Sequence, residues 1–140
     1  MTEERKEKIL RRANDSEAFL QHNGIRFVDA SEGCIVAKLT LQPVVMNKWG
    51  LPHGGALFTM GDVACGIAAL TLRQESLVTL NASIDYMDGA SPDGEVTAVA
   101  KVERMGGKTC FCSAEMFDCN NKRIAKMNVV MYYTGAKIEL

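Results

Sequence analysis

His53, Gly54 and Gly55 stand together at the head of a long apolar run, and one carboxylate, Asp62, follows inside it. If the run Gly55–Leu72 is a helix, the N–H groups of its first turn have no partners within the helix. The helix dipole adds partial positive charge there. Two glycines let a ligand approach the backbone without meeting a Cβ. A carbonyl oxygen placed at such a point would be polarised and its oxyanion stabilised, as acyl transfer requires. Asp62 supplies the complementary group, a base or a nucleophile. Burial among apolar neighbours is expected to strengthen it as a base. No lysine or arginine lies within one turn of it, so a purely structural carboxylate there would have to find its partner elsewhere.

Geometry limits how these groups can cooperate. From Gly55 to Asp62 the helix would rise about 10 Å, so one carbonyl cannot touch both in the same chain. If both act, Gly55 of one chain pairs with Asp62 of another. That arrangement predicts a homodimer with two shared sites.

The elements that position these residues follow from periodicity. Ala56, Leu57, Phe58, Met60, Val63, Ala64, Ile67, Ala68 and Leu70 surround the helix rather than forming one stripe, which predicts an enclosed core helix. Gly61 and Gly66 within it read as close packing points, because mid-helix glycine is otherwise unfavourable. Residues 3–22 read as helical, broken near Asn14, Asp15 or Ser16, one of which caps a second piece. Strands are expected over Ile25–Ala30 and Cys34–Gln42, joined at Ser31-Glu32-Gly33, with Pro43 ending the second. Leu77–Met87 alternates, with Val78, Leu80, Ala82, Ile84 and Tyr86 on one face and Thr79, Asn81, Ser83 and Asp85 on the other. Further strands are expected over Glu95–Met105, Lys108–Asp118 and Arg123–Thr134, with turns at Gly106-Gly107 and Asn120-Asn121. The final six residues, GAKIEL, are expected to fray. Short connections favour an antiparallel sheet. The organisation expected is an N-terminal helical segment, residues 1–22, followed by one domain, residues 23–140.

Composition narrows the function classes. The 140 residues are 47% hydrophobic and 24% charged, with a net charge of -1, which offers no basic field for nucleic acid or a membrane surface. The charged start, MTEERKEK, has no apolar segment after it and predicts a cytoplasmic protein. The five cysteines, Cys34, Cys65, Cys110, Cys112 and Cys119, are scattered and read as reduced thiols. Cys110 and Cys112 share a strand face, but no second Cys/His pair stands at zinc spacing, so no metal is expected. Met87, Met105, Met116, Met127 and Met131 read as core filler, and His22 as a surface residue. Trp49 and Met46 either line a pocket or cover the loop.

The pattern N-x-x-G-x-x-H-G-G-x-x-x-x-x-x-D, from Asn47 through Gly50, His53, Gly54 and Gly55 to Asp62, resembles the hotdog-fold acyl-CoA thioesterases of the PaaI-like (4-hydroxybenzoyl-CoA thioesterase) superfamily. The likeness continues through Ile84-Asp85-Tyr86-Met87, Gly94, Gly107-Lys108-Thr109 and Ile124-Ala125. It implies an α+β hotdog fold, a curved antiparallel sheet of about six strands wrapped around one long central helix. It further implies that Asp62 activates water or attacks a thioester carbonyl, and that Gly55 N–H polarises that carbonyl. Asn47 and His53 would position substrate and loop. Thr79 stands where a Ser or Thr of the family holds the water, although the alternation puts it opposite the apolar face. Gly54 would allow close approach, and Arg104 and Lys108 are candidates to meet coenzyme A phosphates. Coenzyme A would be part of the substrate, with no separate cofactor. A homodimer is implied, and a tetramer of paired dimers is compatible.

Local readings stand beside these. His53 could simply cap the helix through its ring, and Asn47 could simply form the turn. Two other functions fit the fold: a hydratase or dehydratase of acyl thioesters, and a non-catalytic acyl-CoA-binding protein. The H-G-G-x₆-D pattern fits the first poorly. Hotdog regulators of the second kind carry a DNA-binding domain, which residues 1–22 are too short to supply.

Overall fold

The computed structural model describes residues 1–15 and 17–140. In chain order it contains α1 (Glu3–Asp15), α2 (Ala18–His22), β1 (Ile25–Ser31), β2 (Cys34–Thr40), a short 3-10 turn (Pro43–Val45), α3 (Gly54–Leu72), β3 (Glu75–Tyr86), β4 (Glu95–Met105), β5 (Thr109–Phe117) and β6 (Arg123–Lys137). The six strands form one antiparallel sheet in the order β1-β2-β4-β5-β6-β3. The long helix α3 packs on one face of it. This is the hotdog arrangement.

Alternation decides which side chains meet the helix. Ile35, Ala37 and Leu39 of β2 are buried, as are Val96, Ala98 and Ala100 of β4. Small residues on the sheet (Ala98, Ala114) and on the helix (Ala64, Ala68) allow close approach. Gly61 is the tightest point. A Cβ there would lie 2.6 Å from both Met116 Cε and Met127 Sδ. Met116, Met127 and Met131 are buried core residues, whereas Met87 is exposed and its sulfur accepts from Arg123. The buried cysteines, Cys65, Cys110 and Cys112, are reduced and packed in the same core.

The sheet covers only one side of α3. Leu57, Met60, Ala64, Cys65, Ala68 and Ala69 are buried, while Ala56, Thr59, Asp62, Val63, Ile67 and Leu70 are half-buried. The helix is therefore not enclosed within one chain. Part of its open side forms a groove of about 290 Å³ with Ile9, Ala13 and Leu140. α1 packs on β1, and Ile9, Ala13 and Leu20 join the main core, so residues 1–22 belong to the domain's packing.

Three local expectations need correction. Ser16 lies outside the described residues, but neither Asn14 nor Asp15 caps α2: its N-cap is Glu17, with no side-chain capping bond. Asn14 instead ties α1 to β1, donating to the Phe27 carbonyl at 2.9 Å and accepting its N–H at 2.8 Å. The first half of the tail, residues 135–137, is in a strand where fraying was expected, because β6 runs on to Lys137 against Glu75. The alternation of β3 is broken by a bulge between Thr79 and Asn81. One extra residue shifts the phase of everything before it. Val78 and Leu80, expected inside, are 50% and 59% exposed.

Candidate active site

α3 begins with a local cap. His53 has extended backbone, and its Nδ1 accepts the Gly55 N–H at 2.9 Å. Its carbonyl accepts from the N–H of Ala56 at 3.0 Å and of Leu57 at 3.2 Å. The Gly55 donor expected to meet a carbonyl is thus engaged by a side chain, and the capping reading of His53 holds. Because Gly55 is exposed, the donor lies at the surface and a ligand oxygen could replace the ring. The same turn is held from the other side by Tyr86, whose hydroxyl donates to the Gly54 carbonyl at 2.7 Å. A Cβ on Gly54 would lie 3.0 Å from that ring, so a side chain there would push Tyr86 back.

Two turns along, Asp62 faces the half-covered side of α3. The apolar enclosure expected for it is absent within one chain. Its one fixed partner is Thr79, which donates to Oδ1 at 2.7 Å. Oδ2 has no partner among the described residues. The bulge in β3 explains how Thr79 gets there: Thr79 lies opposite buried Met131, on the helix-facing side of the sheet. Simple alternation places it on the wrong face.

Beside the helix start lies a pocket of about 240 Å³, walled by Phe19, Val44, Val45 and Ala56, with His53, Gly55 and Thr59 also lining it. Its wall is largely apolar, with Asn23, His53 and Thr59 as the polar side chains. Asp62 does not line it.

Residues 50–125 match the thioesterase superfamily. The matched span exceeds half of the chain and holds His53, Gly54, Gly55, Asp62 and Thr79. The chain belongs to the thioesterase superfamily. This superfamily member is 24% identical over 124 residues to the acyl-coenzyme A thioesterase PaaI of Escherichia coli, covering 89% of this chain and 88% of that one. The solved structure of the Escherichia coli PaaI protein matches with a TM-score of 0.82 over 89% of this chain and 90% of its own, at 24% identity, a likeness of fold. A hypothetical thioesterase protein of Streptococcus pneumoniae, solved with coenzyme A, matches with a TM-score of 0.75 at 25% identity, covering 81% and 88% of the two chains. The fold shared with that PaaI structure is the hotdog fold.

The remaining expected residues of this thioesterase-superfamily chain sit apart from the Gly55 pocket. Asn47 lies outside the matched span. Its Oδ1 accepts the N–H groups of Trp49 at 2.9 Å and Leu51 at 3.1 Å, so it forms the turn. It lines a separate pocket with Gly54 and Tyr86. Trp49 is 74% exposed and lines neither pocket. Arg104 and Lys108 are exposed near the β4–β5 turn. Arg73, the C-cap of α3, donates to the Gly107 carbonyl in that turn at 2.9 Å. These two basic residues therefore lie by the far end of a helix that spans about 28 Å, and within one chain they do not meet Gly55.

The contacts of two polar residues escaped the sequence reading. Tyr86 is one, because nothing in local spacing links it to Gly54. Asp118 is the other. It is buried and accepts the N–H groups of Ser91, Asn120 and Lys122 at 3.1, 3.0 and 2.9 Å. Those bonds, led by Lys122, hold its carboxyl below the usual range. Asp118 fastens the β5–β6 turn to the loop after β3 and has no contact with the candidate site.

Proposed function

We propose that the protein hydrolyses an acyl-CoA thioester in the cytoplasm as a homodimer, with coenzyme A as part of the substrate and no separate cofactor. The observation that carries this reading is the Thr79–Asp62 bond at 2.7 Å, which fixes one carboxylate oxygen and leaves the other without a partner among the described residues. A water on Oδ2 would lose a proton to Asp62 as its oxygen adds to the thioester carbonyl carbon. The Gly55 N–H would take up the oxyanion, the substrate oxygen replacing the His53 ring. The tetrahedral species then collapses, the C–S bond breaks, and coenzyme A leaves as a thiolate that takes a proton. Direct attack by Asp62 would pass through an anhydride at the same carbon, later opened by water.

The separation of Gly55 and Asp62, about 10 Å along one helix, makes the site a two-chain site. The uncovered side of α3 and the exposed apolar residues of the edge strand β3 support a second chain at this face. Family membership and the coenzyme A in the Streptococcus pneumoniae structure support the substrate class. Arg104 and Lys108 remain candidates for the coenzyme A phosphates only if the partner's copies are the ones that reach the site.

A second reading, acyl-CoA binding without hydrolysis, is favoured by the His53 ring on the Gly55 N–H. Thiol release from a panel of aryl- and fatty-acyl-CoAs separates the two. Hydrolysis predicts turnover of at least one substrate by the wild type and a loss of about 100-fold or more in a folded Asp62→Ala variant. Binding without turnover in both proteins would select the second reading.

A further inference from the structure

We propose that Tyr86 is a positioning residue for this hydrolysis, acting through the peptide that joins Gly54 to Gly55. The inference rests on the thioesterase reading above. The Gly54 carbonyl and the Gly55 N–H are the two ends of one amide, and in a trans peptide they point in opposite directions. Tyr86 Oη donates to the carbonyl end at 2.7 Å, and the amide end points at His53 Nδ1, 2.9 Å away. One peptide is therefore held at both ends by side chains from outside the helix.

The two holds differ in what a substrate can do to them. His53 sits where the thioester oxygen must go, so that bond is given up on binding. Tyr86 lies on the opposite side of the peptide and stays. A hydrogen bond to an amide oxygen polarises the whole amide and strengthens its N–H as a donor. It also fixes the peptide plane, so the N–H keeps its aim after the imidazole has moved. The need is real at a Gly-Gly pair, because glycine has more backbone freedom than any other residue. The fit is close: the phenol ring fills the space that a Gly54 side chain would take. Tyr86 is protonated at neutral pH like any tyrosine, and partial burial raises its hydroxyl further above its ordinary value.

The placement has a further consequence for β3. This one strand carries Thr79, which holds the carboxylate, and Tyr86, which holds the helix start. The bulge after Thr79 lets both face α3: Thr79 lies opposite Met131 and Tyr86 opposite Ala125, both buried positions of β6.

Tyr86→Phe keeps the ring on Gly54 and removes only the donor. The kcat for the best acyl-CoA of the panel should fall about threefold to tenfold, the scale of one neutral hydrogen bond, with KM within about twofold. In proton–nitrogen correlation spectra the Gly55 amide proton should move upfield, a readout that a merely structural fastening would not require. Full kcat in Tyr86→Phe, or a Gly55 resonance that does not move, would overturn the inference while the wild type still hydrolyses and Asp62→Ala does not. A wild type that hydrolyses nothing would instead sink the thioesterase reading, and the positioning role with it.

Discussion

Asp62 owes its aim to a single hydroxyl. A carboxylate on the open side of a helix would otherwise sample several rotamers, and the Thr79 bond selects one. Thr79→Val keeps the shape and removes the donor, so kcat should fall about tenfold while the melting temperature moves little, the bond being worth about 1 kcal/mol at a site open to water. Unchanged steady-state thiol release in that variant would show that Thr79 orders nothing. At this scale the sequence was legible where chemistry is local. His53, Gly54, Gly55 and Asp62 stand on one short stretch, and their types and spacing point to a charged-intermediate site at a helix start. It was illegible where partners come from elsewhere. Tyr86 meets Gly54 across the fold, and no local pattern records that. The ring of His53 on Gly55 N–H and the turn made by Asn47 are the plainer readings of those residues, and each is realised in the bonds they make.

The elements explain why the helix can be so apolar and still carry glycines. α3 lies on a sheet face built of alanine, valine and methionine, and its glycines set the distance. Gly61→Ala would drive a methyl into Met116 and Met127, both fully buried with little room to move, an overpacking that costs about 1–3 kcal/mol. Against this stands the better helix propensity of alanine, worth about 1 kcal/mol. A net loss is expected from chemical denaturation. Gly66→Ala is expected to keep or raise stability, since its methyl would meet nothing nearer than 3.4 Å. Equal effects at both positions would contradict this packing. Periodicity found all six strands and placed the start of α3 within one residue, because burial repeats every two or every 3.6 residues. The bulge in β3 was hidden from it: Val78 and Leu80 continue the apolar alternation although they face outward. The pairing of β6 to Lys137 was hidden too, since Gly135 and the charged tail read as an end, while the partner strand that orders them lies far back in the chain.

At the scale of the whole molecule, three features support the proposed homodimer. α3 shows one flank, β3 shows a free edge with exposed apolar side chains, and the two groups proposed to act at one carbonyl stand about 10 Å apart on the same helix. The proposed two-fold partner would answer all three, covering the flank and bringing a second Asp62 to each Gly55. The measurement that tests this most directly uses two differently tagged chains, one carrying Asp62→Ala and the other Gly55→Pro, which removes the donor at a first-turn position where proline is tolerated. Each parent dimer should be nearly inactive in thiol release. The purified mixed dimer holds one intact site of two, so it should recover about half of the wild-type activity if Gly55 and Asp62 act across the interface. A mixed dimer as inactive as its parents would contradict the shared site.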